Sequence, residues 1–335
     1  MGDYYQHFLN NHNNIDHILE LRCPGYYCGR RDLGNGRTSD CGSCPSGTKV
    51  NSFHICQPCT DSPSPYDYMY LLFMATVPLL FHAVYIDLSL SSILWAFKGK
   101  NGNSQKKTKT KIVLNISAIL EIFIAAALAV LVVDPVGQLK IQSCRTQWLS
   151  DWYTVLYNPT PDYRESLRCT QEAVYPLYSM IFIFYLACII VLLTIRPLLS
   201  AYFSLNRGAY LKTIYAGLYF FPIAALIHAF LGGIVYVTFP YIVIVVSVIS
   251  SAIHFATEIN QSAKHLIVNT VCVPRNILIV AVHWVSHGFG IVAITQLENP
   301  PLDYALLLLI PLPTLFYIAT TRISEPSKII VLYCN

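Results

Sequence analysis

Cysteine is the residue type in this chain whose spacing has the clearest chemical meaning. Of eleven cysteines, six lie together near the amino terminus: Cys23, Cys28, Cys41, Cys44, Cys56 and Cys59. Two more, Cys144 and Cys169, bracket a polar stretch, and a bond between them would close a loop of about 26 residues, worth roughly 3–4 kcal/mol. Eight is an even number, as a disulfide framework requires. We therefore expect these eight cysteines to form disulfides, in a pairing that the sequence leaves open.

The amino-terminal array also admits a zinc site as an alternative. Two C-x-x-C pairs, Cys41-x-x-Cys44 and Cys56-x-x-Cys59, can hold zinc in a tetrahedral thiolate site. The spacer between the pairs is shorter than the usual one, however, and the two remaining amino-terminal cysteines would be left over. The residues around the array are small or turn-forming, which is typical of a disulfide-bonded segment too small to bury a core. The sequence thus favours disulfides over zinc.

A second set of residues that could do chemistry consists of ionisable side chains inside apolar stretches: Glu121, His228, His283 and His287. Such residues are costly in a bilayer unless they are neutral, paired or in contact with water. His283 and His287 are four residues apart and could chelate one metal ion from a single helix face. A catalytic zinc also needs a third ligand and an activated water, and no H-E-x-x-H motif is present. We expect helix-packing hydrogen bonds, with Glu121 bonded to His283 or His287, and neither metal nor cofactor. The alternative is an intramembrane metal-dependent hydrolase.

The elements that must position these residues follow from composition. The chain has 335 residues, of which 54% are hydrophobic and 12% charged, and the charged share is roughly half that of a soluble domain. A net charge of +4 is too dilute for nucleic-acid binding. Apolar runs of about the length of a membrane span recur near residues 68–90, 112–133, 174–195, 213–231, 240–256, 277–296 and 304–321. The sequence predicts an all-α polytopic membrane protein with about seven transmembrane helices in the lipid bilayer, and a tight turn at Gly232-Gly233.

The distribution of Lys and Arg predicts the orientation. These residues concentrate in one set of loops: 97–111, 196–212, 257–276 and 322–335. Because basic loops stay in the cytosol, we expect a lumenal or external amino terminus and a cytoplasmic carboxyl terminus. The sequons Asn115-Ile-Ser117 and Asn260-Gln-Ser262 should then carry no glycan. The predicted divisions are a disordered polar tail at 1–22, a lumenal Cys-rich segment at 23–65, a seven-helix bundle at 66–321 with a long lumenal loop at 134–173, and a cytoplasmic tail at 322–335.

Several stretches together resemble one known family, the c-Jun N-terminal kinase-associated membrane proteins. They include "CGSCPSG", "CQPCTDSPSPYDYMYL", "DPVGQLKIQSCR", "LSDWYTVLYNPTPDY", "CTQEAVYPLY", "IYAGLYFFP", "HWVSHGFGI" and "EPSKI". The resemblance implies a seven-span protein of the endoplasmic reticulum membrane without enzymatic activity. It also implies an adaptor that binds membrane ubiquitin ligases, recruits proteasomes for degradation of misfolded proteins, and associates with c-Jun N-terminal kinase.

The carboxyl-terminal tail holds a candidate kinase-docking pattern, in which basic residues precede alternating apolar ones: Arg322, Lys328, Ile329, Val331 and Leu332. A helix end anchored by the two basic residues explains the same pattern more simply. A seven-span receptor with a Cys-rich, ligand-binding head is a further alternative to the adaptor, because seven spans with an external amino terminus also describe that class.

Overall fold

A computed structural model of the chain describes residues 23, 25–96, 104–146, 148–156, 169–205, 207–258 and 262–324. The predicted polar tail at 1–22 and residues 325–335 of the predicted cytoplasmic tail lie outside this part. The chain divides into two compact units, Met1–Ile234 and Val235–Asn335.

The cysteine-rich segment of the first unit forms six short strands that pair antiparallel in three two-stranded sheets. β1 (Cys28–Gly29) pairs with β4 (Gly42–Ser43), β2 (Asp32–Gly34) with β3 (Arg37–Thr38), and β5 (Thr48–Val50) with β6 (Cys56–Pro58). The turn between β2 and β3 has positive φ at Gly34, Asn35 and Gly36, which these residue types adopt more readily than others. Strands this short cannot bury a core, so covalent bonds must hold them together. We call residues 23 and 25–61 the head.

Long apolar helices make up the rest of the first unit. They are α1 (Pro65–Ala96), α2 (Ser104–Val132), α3 (Leu177–Tyr202) and the first part of α4 (Arg207–Ala256). α2 packs against α1 and α3. Large apolar side chains face outward from α1 and α2, among them Leu80, Ile119 and Phe123. Exposed apolar faces of this extent are typical of helices surrounded by lipid.

The predicted turn at Gly232-Gly233 is wrong, because α4 runs through both glycines. A Cβ added at Gly233 would come within 2.6 Å of the Trp152 Cβ and 2.8 Å of Tyr153 Cε2. The glycines therefore let another segment approach the helix closely instead of ending it. This is a common reason for glycine within a membrane helix.

The second unit is also helical. It contains the later part of α4, then α5 (Ala263–Cys272), α6 (Pro274–Thr295), α7 (Pro300–Leu307) and α8 (Leu312–Ser324). α5 packs against α6 and α8, and α6 packs against α7. Phe255, Leu266 and Val280 form a buried apolar cluster with Tyr317 and Ile318 packed against it.

Within the described residues, six helical segments are long and apolar enough to cross a membrane: Pro65–Leu90, Lys107–Val132, Leu177–Tyr202, Tyr210–Ala256, Pro274–Thr295 and Pro300–Thr320. The expectation of a mostly helical membrane protein with a small Cys-rich segment is confirmed. Seven spans are not confirmed, because the predicted fourth and fifth spans lie in one apolar segment of 47 residues.

Candidate functional site

Four disulfides hold the head together and attach it to the central loop, residues 133–176, which connects α2 to α3. Two bonds lie within the head, Cys23–Cys41 and Cys44–Cys56, and two reach the loop, Cys28–Cys169 and Cys59–Cys144. All eight predicted cysteines thus form disulfides, and no set of four thiolates remains for the zinc alternative. The Cys144–Cys169 disulfide that the sequence suggested does not form, because each of these cysteines is bonded to a head cysteine. Head and central loop therefore lie on the same side of the bundle.

Gly29 in β1 shows how closely the head is packed around its disulfides. A Cβ at this position would lie 2.9 Å from Cys44 Sγ and 3.0 Å from Cys56 Sγ, which is closer than carbon and sulfur can approach. Only glycine lets the strand pass beneath the Cys44–Cys56 bond.

Residues 148–156 of the central loop join the head to the helices. The loop contains a 3-10 helix at Leu149–Trp152. Tyr27 of the head donates a hydrogen bond from its hydroxyl to Asp151 Oδ1 at 3.0 Å, and the Trp148 amide donates to Asp151 Oδ2 at 3.0 Å. Burial raises the pKa of Tyr27 well above its ordinary value, so the hydroxyl stays a donor. On the other side of the loop, the Tyr153 hydroxyl donates to the Phe230 carbonyl of α4 at 3.2 Å.

His228 lies beneath this loop, in α4. Its Nε2 is 3.1 Å from the Tyr178 carbonyl, and its ring lies 5.1 Å from the Tyr178 ring and 6.2 Å from the Trp152 ring, centroid to centroid. The side chain is buried. The structure thus places His228 in an aromatic cluster that joins α3, α4 and the central loop.

A cavity of about 340 Å³ opens between the central loop and the start of α3. Its lining includes Trp152, Tyr153, Gln171, Glu172 and Tyr178. The Glu172 carboxylate accepts a hydrogen bond from the Ser179 amide at 2.8 Å, and burial raises the pKa of Glu172. Sequence reasoning missed this cavity, because the residues that line it come from loop positions with no recognisable spacing.

Glu121 of α2 forms a buried ion pair with Arg196 of α3. Arg196 Nη2 lies 2.6 Å from Glu121 Oε2, and Arg196 Nε lies 3.0 Å from Glu121 Oε1. The same guanidinium donates from Nη1 to the Thr213 carbonyl of α4 at 3.2 Å, and the Ser117 hydroxyl donates to Glu121 Oε1 at 2.5 Å. Both charged side chains are almost entirely removed from solvent, at 0% and 2% exposure. This pair connects three helices.

Two predictions about this pair are therefore wrong. The expected hydrogen bond from Glu121 to His283 or His287 is replaced by the Arg196 guanidinium, which satisfies both carboxylate oxygens. The distribution of basic residues places Arg196 in a cytoplasmic loop at 196–212, yet it lies inside α3. The sequence does indicate that the helix extends beyond Arg196, because apolar residues continue through Leu198, Leu199 and Ala201.

His283 and His287 lie in α6, and both side chains are partly exposed. The His283 carbonyl accepts a hydrogen bond from the Ser247 hydroxyl at 2.7 Å, a contact that involves the backbone and not the imidazole. Among the residues that the structure describes, no group of three or more His, Cys, Asp or Glu side chains is arranged to hold a metal ion. The two imidazoles therefore lack a third ligand of these types within that part of the chain.

The candidate docking tail falls largely beyond the described residues. Arg322 lies in α8, near its end, whereas Lys328, Ile329, Val331 and Leu332 lie outside the described part.

The fold and the site together define a polytopic membrane protein whose disulfide-bonded head is attached to the helices through the central loop. The family model for JNK1/MAPK8-associated membrane proteins matches residues 23–326. The chain belongs to this family. It is 40% identical over 318 residues to the JNK1/MAPK8-associated membrane protein of Homo sapiens, covering 93% of this chain and 96% of the relative. It is 34% identical over 299 residues to the homolog of Caenorhabditis elegans, covering 88% and 86%. No solved structure matches.

Proposed function

We propose that this protein is a non-enzymatic adaptor of the endoplasmic reticulum membrane. It links membrane ubiquitin ligases to proteasomes for degradation of misfolded proteins, and it associates with a c-Jun N-terminal kinase. The observation that carries this proposal is the family match over residues 23–326, because the curated relatives are named for association with that kinase at a membrane.

The paired polar groups of the bundle support a role without catalysis. The charges of Glu121 and Arg196 neutralise each other, and each of the three guanidinium nitrogens donates a hydrogen bond. A catalytic acid or base needs access to a substrate proton, and neither buried side chain offers it. His228 is likewise enclosed by aromatic rings. These contacts favour structural roles over chemical ones, as an adaptor requires.

We also propose that the head and the central loop are lumenal and that the carboxyl terminus is cytoplasmic. Four disulfides are expected in an oxidising compartment such as the reticulum lumen, and Cys272, which forms no disulfide, then lies on the reducing side.

An amino terminus and a carboxyl terminus on opposite sides require an odd number of crossings. The 47 apolar residues of Tyr210–Ala256 span about 70 Å as helix, the apolar length of two crossings. Seven crossings therefore require the chain to reverse direction within Tyr210–Ala256 in the membrane, where α4 is one continuous helix; a single crossing there would give six and would put both termini on the same side.

The proposal is tested by affinity purification of the full-length protein from membranes solubilised in mild detergent. We expect proteasome subunits, a membrane ubiquitin ligase and the kinase to co-purify. A multi-span protein of the same membrane, expressed at the same level, controls for detergent carry-over. Recovery of none of the three partners above that control would contradict the adaptor proposal.

The tail as kinase-docking site is tested separately, by the double variant Arg322→Gln/Lys328→Gln. Its matched control is Arg207→Gln/Lys212→Gln, which removes two basic residues from another predicted cytoplasmic segment. We expect the kinase signal to fall in the first variant only, with ligase and proteasome signals unchanged. An undiminished kinase signal would exclude the tail as the docking site.

A further inference from the structure

Parts of all four helices of the first unit meet at the end of the bundle where α3 connects to α4. Ile86 and Leu90 of α1 form a buried apolar cluster with Leu114 of α2. Leu205, which follows α3, and Tyr210 of α4 pack against this cluster. The beginnings of α2 and α4 therefore lie close together in space, although they are far apart in the chain.

Basic side chains surround this meeting point. The Lys109 Nζ of α2 lies 5.7 Å from the centroid of the Phe203 ring, directly after α3. Arg207 and Lys212 flank Tyr210 at the beginning of α4 and are exposed. We call the five exposed basic residues of these two helix beginnings the basic patch: Lys107, Lys109, Lys111, Arg207 and Lys212.

The positive charge of the basic patch is not balanced. Asp87 of α1 pairs with Lys111 at 2.8 Å, and residues 86–115 and 196–215 contain no other Asp or Glu. The connection between α1 and α2 at 97–103 belongs to the first of these ranges and adds two lysines. The excess of positive charge in these two ranges is therefore the same wherever that connection lies. The other four residues of the basic patch have no carboxylate partner within the described part of the chain.

The exposed surface next to the basic patch, toward the middle of the helices, is apolar or aromatic. Pairs of exposed residues four positions apart lie on one face of each helix: Ile112 and Ile116 of α2, Leu198 and Tyr202 of α3, Tyr215 and Tyr219 of α4. All six belong to segments apolar enough to cross a membrane. A cationic surface that adjoins a lipid-facing one fits a ligand with an anionic head and apolar chains. A soluble anion would use only the first of the two surfaces.

We propose that the basic patch binds the headgroup of an anionic phospholipid of the surrounding bilayer. Lys109 and Arg207 donate hydrogen bonds to the headgroup oxygens, and the acyl chains lie against the adjoining apolar faces. A signal for membrane orientation requires only that basic residues follow a span in sequence. Here, tertiary contacts bring basic residues of two separate helices to one place.

The proposal rests on the proposed orientation, which makes this end of the bundle cytoplasmic, because anionic lipids are concentrated in the cytoplasmic leaflet. Lipid binding to the purified protein does not depend on orientation. Failure of this proposal and failure of the proposed orientation are therefore separate results.

The test uses the full-length protein, purified in an uncharged mild detergent with its disulfides intact. The probes are dioctanoyl phosphatidylserine and dioctanoyl phosphatidylcholine, which differ in net charge and share their acyl chains. We expect the anionic lipid to bind at least about tenfold more tightly, because each basic residue near a membrane surface adds to the attraction. This preference should shrink as salt is added, since exposed charges are screened.

Variants connect the lipid preference to the basic patch. Lys109→Gln/Arg207→Gln removes two exposed charges, so the fold is retained and affinity for the anionic lipid should fall about thirtyfold. Lys109→Arg/Arg207→Lys keeps both charges and should keep the affinity within about threefold. The matched control is Arg31→Gln/Arg37→Gln, which removes two exposed charges from the head and should leave the affinity unchanged.

Three results would overturn the proposal. The first is equal affinity of the wild type for the two lipids. The second is a loss in Lys109→Gln/Arg207→Gln no greater than the loss in the head control. The third uses glycerophosphoserine, the headgroup without acyl chains: complete displacement of the lipid at equal concentration would show that the site takes a soluble anion and not a lipid.

Discussion

Replacing Glu121 by Leu leaves the Arg196 guanidinium buried without its carboxylate, and we expect this change to destabilise the bundle severely. The loss includes two short hydrogen bonds, from Nη2 at 2.6 Å and from Nε at 3.0 Å. Among the residues that the structure describes, Arg196 then keeps only its hydrogen bond to the Thr213 carbonyl. Removing one partner of a buried ion pair typically costs about 3–5 kcal/mol, because an uncompensated charge remains.

The reverse replacement, Arg196→Met, should cost less. A carboxylate left alone can be neutralised by a proton, whereas a guanidinium stays charged in proteins, and Glu121 would still accept from the Ser117 hydroxyl. The double variant Glu121→Leu/Arg196→Met removes both charges and should be more stable than Glu121→Leu alone, since apolar replacement of a whole buried pair is often neutral or stabilising. The double-mutant cycle should therefore show strong coupling.

The free cysteine of α3 supplies the assay. Cys188 is 1% exposed, so it reacts with a small neutral maleimide only when the bundle opens. In a Cys272→Ser/Cys334→Ser background, the labelling rate of Cys188 reports the opening free energy, and a loss of about 3–5 kcal/mol corresponds to a rise of about a hundredfold to several thousandfold. Arg207→Met, at an exposed arginine, is the matched control and should leave the rate within about twofold. Additive effects of the two single changes would refute the reasoning.

Two further substitutions test how the head is joined to the helices. Gly233→Ala should destabilise the first unit by about 1–3 kcal/mol, because the added methyl would lie 2.6 Å from the Trp152 Cβ. Its control is Gly42→Ala, where an added Cβ meets nothing within 4 Å. Equal melting temperatures of these two variants in detergent would contradict the close packing of Trp152 against Gly233. Tyr27→Phe removes the donor to buried Asp151 and should cost about 1–3 kcal/mol, seen as faster limited proteolysis of the head; an unchanged cleavage rate would show that the 3.0 Å bond does not fix it.

The sequence predicts the membrane class and the helices because apolar runs of span length depend on local composition alone. The eight disulfide-forming cysteines are also predictable, from their even number and from the shared compartment that the charge rule assigns to them. Their pairing is not, because Cys28 and Cys169 are 141 residues apart and spacing carries no information about which distant segments meet.

The errors share a physical cause in long-range contacts. In sequence, Arg196 resembles the first residue of a basic loop, and only Glu121 of another helix makes its burial tolerable. Gly232 and Gly233 resemble a turn, since glycine also marks chain reversals, and only the approach of Trp152 explains them within a helix. In both cases the partner lies more than seventy residues away in the chain, beyond the reach of local patterns.

The orientation and compartment on which the adaptor proposal depends can be measured with one substitution. Arg37→Thr creates an Asn-Gly-Thr sequon that begins at Asn35, in the exposed turn between β2 and β3, where a glycan can be added only on the lumenal side. We predict that this variant gains a glycan that endoglycosidase H removes, and that the wild type gains none at Asn260-Gln-Ser262. An unglycosylated Arg37→Thr variant, a glycan at Asn260, or a glycan that resists endoglycosidase H would contradict it.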